Sequence, residues 1–244
     1  MAELRDELLF RQPESTWLGD CPICCLPLPL DPRKSGVMGC CSKTICNGCD
    51  HANQIRQRGL VIPQEPSCAF CREPLPGTVE EAVVMTMKRV EKNDPVAMWQ
   101  MGGKRCDEGD YKSAFEYYTK AAELGDAVAH FNLSVMYDLG QGVEKDEKKE
   151  VYHLEKAAIG GNVLARHNLG CHEERNGRME RAVKHITIAA NMGHEGSMKA
   201  LWKYHARGLV KKDDLNATLR AHQAAVDATK SPQREEAEEF LKRN

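Results

Sequence analysis

Beyond residue 94 the apolar positions return in a fixed phase. Ala97, Ala129, Ala165 and Ser197 recur at intervals of 32, 36 and 32 residues, and each is followed four places later by Met101, Leu133, Leu169 or Leu201. The pairs Ala121-Ala122, Ala157-Ala158, Ala189-Ala190 and Ala224-Ala225 recur at 36, 32 and 35, and Gly125, Gly161 and Gly193 stand three places beyond the first three of them. A four-residue apolar step marks one helix face, and a repeat of this length holds two antiparallel helices. Alanine lets helices approach closely, and glycine supplies the left-handed terminus that opens the next unit. One pair cannot bury its own apolar face. The pattern therefore predicts an all-α solenoid of stacked antiparallel helix pairs, four units over residues 94–230. GQGVEKD from Gly140 and GLVKKDD from Gly208 are predicted as longer turns within pairs. SPQREEAEEFLKRN, residues 231–244, is predicted as a capping helix or tail with its proline in the first turn.

Upstream the texture differs. Thr78 and Glu81 are spaced as a capping box, and Val83, Val84, Met87 and Val90 then step along one helix face to about Lys92, predicting a linker helix over 78–93. Within residues 15–77 the apolar content is too small for a core. CLPLPLDPRKSGVMG suits a loop with one short strand near Gly36 to Met38, and DHANQIRQRG suits a short helix ending at Gly59 with Ile55 packed inward.

Cysteine changes this picture. Of eleven cysteines, nine lie between Cys21 and Cys71, and eight form four close pairs: Cys21/Cys24, Cys40/Cys41, Cys46/Cys49 and Cys68/Cys71. A structural zinc ion takes four thiolate or imidazole ligands, and a C-x-x-C turn brings two sulfurs to one ion with little strain. The arithmetic supplies two structural Zn2+ ions with Cys25 left over. Such a module folds on metal ligation more than on burial, so chelation should unfold it. Disulfides are the weaker reading, because MAELRDELLF carries four charges and no small-residue cleavage site; the expected compartment is cytoplasmic or nuclear. No uninterrupted apolar stretch approaches the ~20 residues that cross a bilayer, so no membrane is expected. A net charge of -2 with interspersed signs does not favour nucleic acid.

The order C-P-I-C, long loop, CC-SKTI-C-NG-C, 18-residue interval, C-AF-C-REPLP resembles a RING finger of the all-cysteine kind. The resemblance implies a small cross-brace zinc module. Cys21, Cys24, Cys46 and Cys49 would hold one ion, and Cys40, Cys41, Cys68 and Cys71 the other. Cys41 stands where most such fingers carry histidine, which leaves Cys25 and His51 as competing ligands. The family docks a ubiquitin-conjugating enzyme between its zinc loops. The docking positions map to Ile23, Arg72 and Pro74, with Arg72 placed to contact both the enzyme and its ubiquitin. Their plain alternatives are core filler, a solvated charge and a turn residue. Ala69 stands where proline is common, and the interval from Asp50 to Ser67 lacks the frequent tryptophan. No catalytic side chain is implied, since the thioester belongs to the conjugating enzyme.

Residues from Asp126 to Gly161, NVLARHNLG from Asn162 and AVKHITIAANMG from Ala182 resemble Sel1-like repeats, relatives of the tetratricopeptide repeats. Unit three has Glu173 where unit two has Tyr137, and unit four has Trp202 where a glycine is usual. Arrays of this kind hold other proteins. His167, His172 and His185 near Cys171 follow no zinc spacing and are expected as surface or interhelix residues, and the Asp/Glu of these helices as the solvent side. Together the resemblances imply a RING-type ubiquitin-protein ligase (E3) that captures a substrate protein on its repeats. The alternative is a non-enzymatic, zinc-stabilised interaction scaffold.

Overall fold

The structure, a computed structural model, describes residues 2–59 and 65–243. In chain order its elements are α1 (Ala2–Leu9), β1 (Ser35–Val37), β2 (Thr44–Cys46), α2 (Asn47–Arg58), α3 (Val79–Val90) and α4 (Pro95–Asp107). There follow α5 (Tyr111–Glu123), α6 (Ala127–Leu139), α7 (Glu147–Ile159), α8 (Val163–Arg175), α9 (Met179–Asn191), α10 (Glu195–Ala206), α11 (Lys212–Ala228) and α12 (Pro232–Arg243). The chain divides into two compact units, residues 1–17 with 102–226 and residues 18–101 with 227–244.

Helices α4 to α11 form an all-α solenoid of antiparallel pairs, in which successive helices from α5 to α10 pack on one another. Gly125, Gly161 and Gly193 adopt φ of 87°, 84° and 89°, the left-handed turn that ends one pair and opens the next. The residue after each of them is a cap. Asp126 Oδ1 accepts from the Ala129 amide at 2.7 Å, Asn162 Oδ1 from Ala165 at 3.0 Å and His194 Nδ1 from Ser197 at 3.2 Å. The Asp126 and Asn162 caps each stabilise their helix by about 1 kcal/mol. The recurring Ala129, Ala165 and Ser197 are thus both capped and fully buried, and Leu133, Leu169 and Leu201 lie buried one turn later. At Gly170 a Cβ would come within 2.7 Å of the Ile186 side chain, so glycine there sets the spacing of α8 and α9.

Two expectations for this unit are corrected. The fourth alanine pair lies past the buried stripe of α11, which runs Leu215, Thr218, His222, and Ala224 is exposed. Glu173 does not face water: it is buried and bonds Arg178 and, at 3.0 Å, Arg181. Burial pushes its carboxyl up, and the two guanidinium groups more than reverse that, leaving it below the usual range. The opening residues, for which the sequence pattern predicted no element, form α1, whose Leu9 is buried among Leu154, Ala157, Ala158, Ala165 and Leu169.

The second unit is built on little apolar material. Leu28, Ile45 and Ala69 are buried with four of the cysteines. Strands β1 and β2 pair antiparallel with Gly36 opposite Ile45, and the loop between them carries Cys40 and Cys41. Helix α2 turns Cys49 and Asn53 inward and leaves Ile55 49% exposed, against expectation. The reason is angular: at about 100° per residue, Asn53 lies near the face set by Cys49, whereas Ile55 lies about 200° beyond Asn53. In α3, Thr78 accepts from the Glu81 amide at 3.2 Å, and Glu81 reaches back to the Gly77 amide at 2.8 Å. Helix α12, expected at the end of the array, packs against α2, with an ion pair from Lys34 to Glu238 at 2.7 Å and the His51 and Phe240 rings 4.6 Å apart.

Candidate metal centre

Two stretches of the second unit repeat one backbone design. The Cys21 amide donates to Leu26 O at 2.9 Å and the Cys25 amide to Cys21 O at 2.9 Å; the Cys68 amide donates to Glu73 O at 2.8 Å and the Arg72 amide to Cys68 O at 3.1 Å. Asp20 bridges to Pro27 in the first, Ser67 to Pro74 in the second. Cys25 and Arg72 fill the same turn position, with φ of 55° and 67°. Each knuckle presents two sulfurs on one side. The remaining pairs come from the hairpin loop and from the start of α2, where Cys46 is the N-cap and Cys49 lies in the first turn.

The sulfurs gather in two groups of four, interleaved along the chain. Cys21, Cys24, Cys46 and Cys49 lie within 4.8 Å of one another, as do Cys40, Cys41, Cys68 and Cys71. Individual separations include 3.8 Å for Cys24–Cys46, 4.0 Å for Cys41–Cys68 and 3.3 Å for Cys40–Cys71. Tetrahedral ligation at about 2.3 Å puts sulfurs about 3.8 Å apart, so both groups fit a thiolate-bound metal ion. The electrostatics agree. Burial, reinforced by neighbouring thiols, pushes Cys40 and Cys49 far up, and burial with the Cys68 and Cys71 charges holds Cys41 at about 11. Burial also acts on Cys24, but the Leu26 amide and the Arg234 guanidinium outweigh it and bring it to about 7. Four thiols this close together cannot all ionise side by side without a cation among them.

Of the alternative ligands, Cys25 is exposed and His51 lies tilted against the Phe240 ring; neither belongs to the four-sulfur groups. Ile23, between two ligands, is 41% exposed, and Pro74 is exposed as well. Arg72 is exposed at its backbone turn, yet its Nη1 donates to Asn53 Oδ1 on α2 at 2.7 Å. Two residues escaped sequence reasoning. Phe70 is a large exposed apolar residue inside the last C-x-x-C. Arg234 of α12 is only 5% exposed and donates to Cys24 Sγ at 3.3 Å, to Leu26 O at 3.1 Å and to Pro27 O at 2.7 Å. No local signal ties Arg234 to Cys24, which lies 210 residues away. The aromatic was visible in C-A-F-C, but not its exposure.

In the repeats, Cys171 Sγ lies 3.7 Å from His167 Nε2, and His167 Nδ1 lies 2.9 Å from Ser197 Oγ. His172 pairs with Asn176 at 3.0 Å, and His185 is wholly buried. Among the described residues no helix is long and apolar enough to cross a membrane.

Comparison with known proteins bears on the array. DAP3-binding cell death enhancer 1 of Mus musculus is 23% identical over 197 residues, covering 64% of this chain and 39% of its own. HcpC of Helicobacter pylori, whose name proposes a beta-lactamase, is 40% identical over 58 residues, 24% of this chain and 20% of its own. The chain thus spans about two fifths of the mouse relative and one fifth of the bacterial one. The crystal structure of a Sel1 repeat protein from Oxalobacter formigenes superposes with a TM-score of 0.53 at 28% identity, covering 74% of this chain and 72% of that one. The Sel1 repeat itself matches at residues 95–126, 127–162 and 164–194, and these stretches are three successive Sel1 repeats.

Proposed function

We propose that this protein is a non-enzymatic interaction scaffold: the Sel1 array holds a partner protein, and the cysteine module is a rigid second surface built around two structural zinc ions. The observation that carries the reading is the Sel1 solenoid, whose stacked pairs present side chains over a long surface. The name of the mouse relative, which states binding to another protein, DAP3, supports it. When bound, zinc supplies the cross-links that this small core lacks. The chain's own contribution is to hold eight sulfurs at ligation distance and, through Arg234, to offset negative charge at Cys24. Cysteines used as zinc thiolates and not as disulfides suit the cytoplasm or nucleus.

A second reading is favoured by the interleaved order of the two sulfur groups together with the exposure of Ile23 and Pro74. In it the module is a RING-type ubiquitin-protein ligase. Ile23 and Pro74 would dock a ubiquitin-conjugating enzyme, and Arg72 would leave Asn53 to hydrogen-bond the enzyme and its ubiquitin, a positioning effect with no covalent intermediate. Autoubiquitination across a panel of conjugating enzymes separates the two. The scaffold reading expects no chains from any pairing. Chains made by the intact protein and lost in Ile23→Ala and Arg72→Ala would establish the ligase instead. Native mass spectrometry should find two zinc ions per chain, and one ion or none would remove the cross-braced metal pair.

A further inference from the structure

We propose that the surface of the repeat unit beneath Asp6–Trp17 is a peptide-recognition site for a partner segment with an acidic residue followed, three and four places on, by leucine and an aromatic, and that this chain's own residues occupy it in cis. The inference rests on the reading of the array as an interaction surface and names where and what it binds.

Asp6, Leu9 and Phe10 each meet a dedicated feature. Leu9 is 1% exposed, enclosed by apolar residues of α7 and α8. Its carbonyl accepts from Nη1 of the buried Arg166, whose Nη2 donates to Ala158 O at 2.9 Å. The Phe10 ring lies 4.7 Å from His185, with the Arg181 and Lys184 cations 4.8 Å and 5.2 Å from its centre. Arg181 also pairs with the Asp6 carboxylate at 2.7 Å. Further along, Asn191 donates to Gln12 at 3.2 Å and the Trp17 amide to Gly161 O at 3.3 Å. An apolar pocket, a main-chain carbonyl read by a charged donor, and a cationic wall around an aromatic are the elements by which proteins read short segments.

The same surface carries a cost while it is covered. His185 is 0% exposed, and neither ring nitrogen has a partner among the described residues; Arg166 Nε is in the same state. One of the two imidazole nitrogens always bears a proton, and each buried unsatisfied group costs about 1–3 kcal/mol. Withdrawal of the segment would open these groups to water. That cost offsets part of what the covering contact gains, and a segment of the same pattern on a partner can replace it once it overcomes the roughly millimolar effective concentration of a tethered competitor.

The test uses a fluorescent peptide of residues 2–17 and the full chain opened by Leu9→Asp with Phe10→Asp. The peptide is expected to bind the opened chain at least about tenfold more tightly than the unaltered one, and to lose binding when Arg166→Gln is added to the opened chain. A peptide that itself carries Leu9→Asp should not bind. No binding to an opened chain of unchanged helix content, or equal binding to opened and unaltered chains, overturns the proposal. Should the opened chain not fold, hydrogen exchange on the unaltered chain decides. Saturating peptide must deprotect amides 6–17, and unchanged protection overturns the site. Concentration-dependent dimers that exchange this segment between copies would overturn the partner assignment. If the peptide fails while the array still captures partners, the site is lost and the scaffold reading stands.

Discussion

Cys25 stands where the backbone angle counts for more than the thiol. It occupies the left-handed residue that closes the first knuckle, as Arg72 does in the second, and that conformation costs a non-glycine residue about 1–2 kcal/mol. Cys25→Gly should therefore keep two zinc ions per chain and stabilise the metal-loaded module by about 0.5–1 kcal/mol, once glycine's larger unfolded-state entropy is offset. Metal stoichiometry and urea denaturation check this, and loss of one ion in the variant would show that Cys25 is a ligand after all. Six of the eight gathered sulfurs were legible in the sequence as C-x-x-C pairs because that spacing is local, and Cys40 and Cys41 as an adjacent pair; the division into two groups came from the resemblance and not from spacing. Ile55 was misread because the inward face of α2 is set by Cys49, a ligand, and not by its apolar residue. Glu173 was misread because its two arginines lie five and eight residues on, across a turn.

Among the elements, the repeat helices were legible because their signal recurs: glycine, alanine pair and leucine return in phase, so chance matches at one unit are outvoted by the others. Helix α1 has no second copy to be compared with, and its partner surface is supplied by α7, α8 and α9. Its docking should be pH-dependent through His185. The groups that face this imidazole are Asp6 from α1, Arg166 and Glu173 from α8, and Arg181 and Lys184 from α9. Burial first, then the positive Arg166, lowers His185 from 6.5 to about 3 while α1 is in place. A depressed histidine favours the covered state only while neutral, so docking is fully favourable above about 6.5 and weakens as pH falls below that. The loss is at most about tenfold per pH unit. Hydrogen exchange of amides 6–17 at pH 7.5 and pH 5.0 should show faster opening at the lower value, and His185→Gln should flatten the difference. Equal protection at both values in the unaltered chain would exclude this linkage.

At the scale of the whole molecule, the cysteine unit is assembled from residues 18–101 and 227–244, with the intervening chain spent on the array. Arg234 joins those two segments at Cys24. Arg234→Gln should then speed zinc release to a chelator from one site by about tenfold while the Cys40, Cys41, Cys68 and Cys71 site is unchanged, since outer hydrogen bonds typically tune metal affinity by about 10–100-fold. Equal release from both sites would mean that the arginine only packs. The same arrangement bears on how such a protein can be cut and rejoined. The chain passes from one unit to the other near residues 17, 101 and 226, so its modules are not beads on a string. A recombination breakpoint after α3 would carry away the ligands but strand their arginine, and a transfer that keeps the chain order carries the cysteine unit intact only together with the array that lies between its two segments in the sequence.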